Sequence, residues 1–187
     1  MFDSGRLILD SEVAAFEQEF AAFLGVKHVV GVGSGTDAIE MMLRALDIGP
    51  GSRVVVPSFA PSAVASSVMR SGAEVVFADI ERDTFTLCPE SLDMVLRSPA
   101  GQGVKAALAV HLYGHPADWL NLQRVANEHG ITLLEDCAQA HGAAWQGRMT
   151  GTLGTMAAFS FYPTKNLAAC GDAGAVATDD SELAERL

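Results

Sequence analysis

Segments that read as strands alternate with segments that read as helices along almost the whole chain. This alternation restricts the fold more than any other feature of the sequence. Asp10 or Ser11 can cap an opening helix that carries Val13, Phe16, Phe20 and Phe23 on one face and stops at Gly25. "HVVGV" (His28 to Val32) then reads as a strand. A helix through "DAIEMMLRAL" follows the turn "GSGT" (Gly33 to Thr36), and "GPGSR" breaks it. "VVVPSF" is the next buried strand, a helix from about Ser62 to Arg70 leads into "AEVVFADI", and another helix starts after Pro89. "KAALAVHLYG" and "ITLLED" are strands flanking the amphipathic helix of "PADWLNLQRVANEHG". "GTMAAFSFY" and "AGAVATDD" read as two more strands. The pattern predicts an α/β fold in which a mostly parallel central sheet carries helices on both faces.

The 187 residues are enough for one sizeable domain with its own core. Hydrophobic residues make up 49% and charged residues 19%, a globular balance. No run approaches the roughly 18 to 20 apolar residues of a membrane span, and "MFDSGRLILD" lacks the basic start and apolar stretch of a signal peptide. A cytoplasmic location without membrane partners is the expectation. The net charge of −11 repels nucleic acid phosphates and anionic lipid, so any anionic ligand needs a local site. Cys88, Cys137 and Cys170 are far apart, odd in number and without metal-ligand spacing, which points to free thiols. No metal site is expected, since His111, His115 and His141 are scattered and His141 reads as structural.

In sheets of this kind, ligands bind beyond the carboxyl ends of the strands. Polar groups collect there: Gly33–Thr36, Pro57–Pro61, His111–Gly114, Asp136–His141 and Ser160–Lys165. "GSGTDAIE" joins a strand, a glycine-containing turn and a helix start, which is either an anion cradle or simply a capped helix. In the first case backbone N–H groups and the helix dipole hold the anion, and Thr36 or Ser34 adds a hydroxyl. The third glycine of a dinucleotide fingerprint and the Gly-Lys-Ser/Thr of a Walker loop are both absent. Glu135 and Asp136 end an apolar strand, where a carboxylate is costly unless something cationic faces it. Such a carboxylate either pairs with a protonated ring nitrogen or caps the next turn. Gln139 can hydrogen-bond a ring substituent.

Lys165 follows a buried aromatic strand, with no acidic neighbour in sequence. A lysine with its usual pKa of about 10.4 must be brought down by burial or nearby positive charge before it can act as a nucleophile. It could then condense with an aldehyde to form a Schiff base. Taken alone, this lysine reads as an ordinary structural or solvent-facing residue. An anion cradle, a carboxylate for a pyridinium nitrogen and an amine for an aldehyde are together the fixtures of a pyridoxal 5'-phosphate site.

At this point the sequence resembles the sugar aminotransferases of the DegT/DnrJ/EryC1/StrS group, within fold type I pyridoxal phosphate enzymes. The matching stretches run from about Ser4 to the last residue. They are "SGTDAIEMMLRAL", "IGPGSRVVVPSF", "GAEVVFADIERDTFTL", "VHLYGHPAD", "LLEDCAQAHGAAWQGRMTGTLG" and "FSFYPTKNLAACGDAGAVATDD". The resemblance implies an aspartate aminotransferase-like large domain and roles for single residues. Lys165 matches the lysine that holds the cofactor, and Asp136 the carboxylate on the pyridine nitrogen. Gln139 matches its companion near the phenolic oxygen, and Ser160 a phosphate ligand. Gly35, Thr36 and Asp37 match the turn that also holds phosphate. Pro61 stands where an aromatic residue commonly stacks on the ring, with Phe59 nearby. Asp10 and Ala173 stand where glycines are usual. The lysine argues against the group's sugar dehydratases, which carry histidine there.

Members of the group usually transfer an amino group from glutamate to a nucleotide-linked keto-sugar, in the making of antibiotic sugars or cell-surface polysaccharide. The resemblance also implies a homodimer with its sites at the interface. Family chains are considerably longer than this one. Residues 1–187 therefore match the cofactor-binding large domain, with an incomplete N-terminal segment and without the small C-terminal domain. A catalytically silent binding or regulatory subunit that retains the fold is the alternative.

Overall fold

The computed structural model describes residues 11–187, so Asp10, the alternative cap for the first helix, lies outside the described residues. The chain runs through α1 (Ser11–Leu24), β1 (His28–Val32), α2 (Gly35–Ala45), β2 (Arg53–Pro57), α3 (Ser62–Ser71) and β3 (Glu74–Ala78). It continues through α4 (Pro89–Arg97), β4 (Val104–Val110), α5 (Trp119–His129) and β5 (Thr132–Asp136). A small hairpin follows, made of β6 (Ala144–Trp145) and β7 (Arg148–Met149). Then come β8 (Ala157–Ser160), β9 (Gly174–Thr178) and α6 (Ser181–Glu185).

Seven strands form one sheet in the order β1-β9-β8-β5-β4-β2-β3. Pairing is parallel from β8 through β5, β4 and β2 to β3, whereas β9 is antiparallel to both of its neighbours. Only β9 therefore runs against the rest. The carboxyl ends of β1, β2, β4, β5 and β8 share one edge with the start of β9. This is the α/β architecture that the alternation predicts.

Because side chains on a strand alternate between faces, the sheet splits its apolar residues into two layers. Val54, Val56, Ala106, Leu108, Leu134, Ala158 and Val176 pack against α2 and α3. Val55, Ala107, Ala109 and Leu133 face α4 and α5, while Ala157, Phe159, Ala175 and Ala177 face α1. The opening helix differs from expectation at Phe23. Its buried stripe is Phe20, Ala21 and Leu24, and Phe23 is 51% exposed, with its ring stacked on Phe20 at 5.9 Å between centroids.

Two elements go beyond the sequence reading. The β6–β7 hairpin turns on Gln146 and Gly147, both at positive φ (49° and 81°), as a two-residue hairpin loop requires. Its two-residue strands are too short to show a period. The last helix is capped by Asp180, whose carboxylate accepts from the N–H groups of Glu182 and Leu183.

Packing is very close where α2 begins. A Cβ on Gly35 would stand 2.6 Å from the Cβ of Ser160, and a Cβ on Gly174 would stand 2.3 Å from the Ser34 carbonyl oxygen. Glycine at both positions lets the first turn of α2 rest directly on the ends of β8 and β9. Gly174→Ala must push these backbones apart and is expected to lower unfolding free energy by about 1–3 kcal/mol. Urea denaturation of the purified protein measures this.

Candidate active site

β5 ends on two carboxylates that point to opposite faces. Glu135 pairs in register with Ala157, and Asp136 with Ala158. Glu135 therefore lies on the face of α1, α4 and α5, and Asp136 on the face of α2 and α3. Both are buried, so the strand turns each acid into a different interior.

Glu135 meets the cost of burial with a full set of donors. Its Oε1 accepts from the N–H groups of Leu153 and Gly154, both at 2.8 Å. Its Oε2 accepts from the Gly151 N–H at 2.7 Å and faces His111 Nε2 at 3.0 Å. His111 Nδ1 accepts from the Ala117 N–H at 3.0 Å, which leaves the ring proton on Nε2, where it is donated to Glu135. The ligand atoms of His111, Glu135 and Cys137 lie within 4.8 Å of one another, a grouping hidden in the sequence spacing. Its nitrogens and oxygens are already committed to these bonds, which makes it a structural knot.

Asp136 accepts one bond, from the Ala138 N–H to Oδ1 at 2.9 Å. Burial raises its carboxyl pKa, while the Ala138 bond, then the nearby His111 and Lys165, pull it back. Lys165 sits half-buried in the turn after β8, its N–H bonded to the Tyr162 carbonyl at 2.8 Å. Among the described residues, it has no ion-pair partner. The His141 ring packs against those of Phe159 and Phe161. Both of its nitrogens are buried without a hydrogen-bond partner among the described residues. Burial and the Lys165 charge lower its pKa; the nearby Ser160 carbonyl acts the other way without reaching hydrogen-bond geometry.

Ser160 shares the Asp136 face, since it stands two residues beyond Ala158, and it meets the start of α2 through Gly35. Ser34 caps that helix, accepting from the Asp37 N–H at 3.1 Å and donating to Asp37 Oδ2 at 2.8 Å. The Ser34 hydroxyl is thereby used up. Among the described residues, the N–H groups of Gly35 and Thr36 remain free. Asp37 differs from these two residues: its N–H is taken by the cap, and its carboxylate is paired with Arg70 at 2.9 Å. Arg70, which the sequence reading passes over, so offsets the negative charge of Asp37 beside this nest.

The Gln139 Oε1 accepts from the Tyr113 N–H at 2.7 Å, joining the loop after β4 to the loop after β5. Pro61 stands exposed at the start of α3, and the Phe59 ring leans on Phe85 at 6.0 Å. The structure thus gathers Gly35, Thr36, Ser160, Asp136 and Lys165, with Gln139 on the next loop. Among the described residues, no hydrogen bond ties Pro61 to them. A phosphate and an aromatic ring fit this set: two free N–H groups and a hydroxyl on one side, and a buried carboxylate with an uncommitted oxygen on the other.

Residues 1–187 match the model of the DegT/DnrJ/EryC1/StrS aminotransferase family. The chain belongs to this family. A dTDP-3-amino-3,4,6-trideoxy-alpha-D-glucose transaminase of Streptomyces venezuelae is 48% identical over 187 residues, all of this chain and 48% of that protein. A UDP-N-acetyl-3-dehydro-alpha-D-glucosamine 3-aminotransferase of Acidithiobacillus ferrooxidans is 42% identical over the whole chain and 50% of its own length. The structure of NtdA from Bacillus subtilis with bound cofactor PMP superposes with a TM-score of 0.91 at 32% identity, covering 100% of this chain and 41% of that one. The chain spans about half the length of the curated relatives it matches.

Two outcomes test this geometry. Glu135→Ala leaves three main-chain N–H groups, the His111 ring and the Cys137 thiol without their acceptor and is expected to cost about 3–5 kcal/mol, read by urea denaturation. Asp136 carries a folded pKa raised above its unfolded value. Its stability contribution is thus present below about pH 4 and lost as pH rises through the folded pKa. The unliganded Asp136→Asn protein is therefore expected to be more stable than wild type at neutral pH. The advantage should vanish in acid, as followed by thermal melts across pH.

Proposed function

We propose that this chain is the cofactor-binding large domain of a pyridoxal 5'-phosphate-dependent aminotransferase, which moves an amino group from glutamate to a nucleotide-linked keto-sugar. The observation that carries the reading is the placement of Asp136 and Ser160 on one face of the sheet, beneath the start of α2, with the Lys165 turn beside them. The TDP- and UDP-sugar transaminases among the family members support the substrate class, and the relative with PMP supports the cofactor.

In this reading the Gly35 and Thr36 N–H groups and the hydroxyls of Thr36 and Ser160 hold the phosphate, with the α2 dipole adding to the attraction. Asp37 keeps its cap and its Arg70 partner, and shapes that turn. Asp136 holds a proton on the ring nitrogen by ion pairing, in a buried setting where the pair is strong. Gln139 bonds the ring oxygen. Lys165 is the amine that would hold the cofactor through its aldehyde carbon, with water leaving as that bond forms, and its Nζ would carry the proton taken from the Cα of the amino donor. The cofactor, when bound, supplies an electron-withdrawing ring that makes this Cα proton removable. Pro61 offers a flat apolar surface to the ring in place of an aromatic one. The remaining length of the family supplies substrate contacts, and a homodimer completes the site.

Adding pyridoxal 5'-phosphate is expected to produce a visible absorption band, and borohydride should then fix the cofactor onto Lys165, as read by peptide mass spectrometry. Lys165→Ala should abolish the band. A Lys165→Ala protein that still turns over would overturn the assignment. Transamination of dTDP- and UDP-linked keto-sugars with glutamate separates an enzyme from the alternative, a subunit that binds cofactor silently.

A further inference from the structure

Tyr113 is the one residue of the loop between β4 and α5 that holds a strained backbone without being glycine. It sits in the left-handed region (φ 56°, ψ 18°), a conformation that costs an L residue energy. Its side chain does not explain the strain, because it is 71% exposed. Its backbone does. In this conformation the Tyr113 N–H points at Gln139 Oε1 across 2.7 Å. The next residue, Gly114, comes so close to the β5 loop that a Cβ on it would lie 3.2 Å from the Gln139 carbonyl oxygen.

A backbone N–H only donates, so the side-chain atom facing it must be the amide oxygen. That settles which way round the Gln139 amide lies. Its NH₂ group is the end left over, and among the described residues it has no partner. The free end of the Gln139 amide can therefore only donate to a ligand.

The geometry points to Tyr113 as a positioning residue that acts through its main chain. Its strained N–H locks the Gln139 amide so that the NH₂ group is offered to the negatively charged ring oxygen of the cofactor. This inference rests on the proposed function. It assigns the control of cofactor protonation to a loop on a neighbouring strand. The loop itself is pinned to β5 by the His111 N–H on the Asp136 carbonyl at 3.0 Å and by His111 on Glu135. A donor on a phenolic oxygen favours its anionic form. Removing the donor makes the bound chromophore keep its proton to higher pH.

Two substitutions separate locking from donating. Gln139→Glu still accepts the Tyr113 N–H but cannot donate; Gln139→Met does neither. Amide hydrogen exchange of the unliganded protein reads the lock, and a pH titration of the visible band of added pyridoxal 5'-phosphate reads the donor. The Tyr113 amide is expected to be protected in wild type and in Gln139→Glu, and to exchange about tenfold faster in Gln139→Met. The titration midpoint should rise by about one pH unit or more in both variants. A Tyr113 amide that stays protected in Gln139→Met overturns the inference, as does a midpoint that ignores Gln139→Glu. Failure of wild type to bind the cofactor would instead overturn the functional reading, while exchange still reports whether the lock exists.

Discussion

The carboxylate of Glu135 is the fastening on which the ligand-facing edge of the sheet depends. It is fully enclosed and accepts from three main-chain N–H groups in the segment before β8, and from His111 at the end of β4. A buried charge is tolerated when every lone pair is met by a donor, and is strongly destabilising when one side of the arrangement is removed. One side chain thus ties the ends of β4 and β5 to the approach to β8. Asp136, immediately after it, is held in place by the same fixation although it faces the opposite interior. Consecutive acids at the end of a strand divide the labour: one organises the frame, and the other is kept with an oxygen uncommitted.

A second constraint acts on the other side of Ser160. The first turn of α2 is seated on β8 and β9 at distances that admit no Cβ. Close seating brings two free main-chain donors to the face that carries Asp136. The Ser34 cap and the Asp37–Arg70 pair consume the polar groups that would otherwise compete for the same space. The raised pKa of Asp136 is the counterpart of this order. The fold carries a poorly solvated acid here, which costs it some stability.

Much of this was legible in the sequence because its physics is local. Strand runs such as His28–Val32, and helices bounded by caps, glycines and prolines, announce themselves within a few residues. Once the strands are in place, the rule that ligands gather at their carboxyl ends selects Gly35, Thr36, Asp136, Ser160 and Lys165 for inspection. What escaped is non-local. His111 and Glu135 stand 24 residues apart, and Arg70 and Asp37 stand 33 apart, with no periodicity to join them. The outward turn of Phe23 depends on how α1 rolls against the sheet. The β6–β7 hairpin is shorter than any window over which alternation can be recognised. The strain at Tyr113 has no signature in residue type at all, since tyrosine does not favour that conformation.

The reversed strand β9 has a consequence for the lysine. Because β8 and β9 are antiparallel neighbours, the stretch between them leaves and re-enters the same rim as an overhanging loop that never crosses the sheet. Its feet are stapled together by the Phe161 N–H on the Ala173 carbonyl at 2.8 Å. Lys165 therefore hangs from a bracket bolted at its base, and no helix or strand runs through it. A substitution at the tip of this loop leaves the paired strands beneath it untouched.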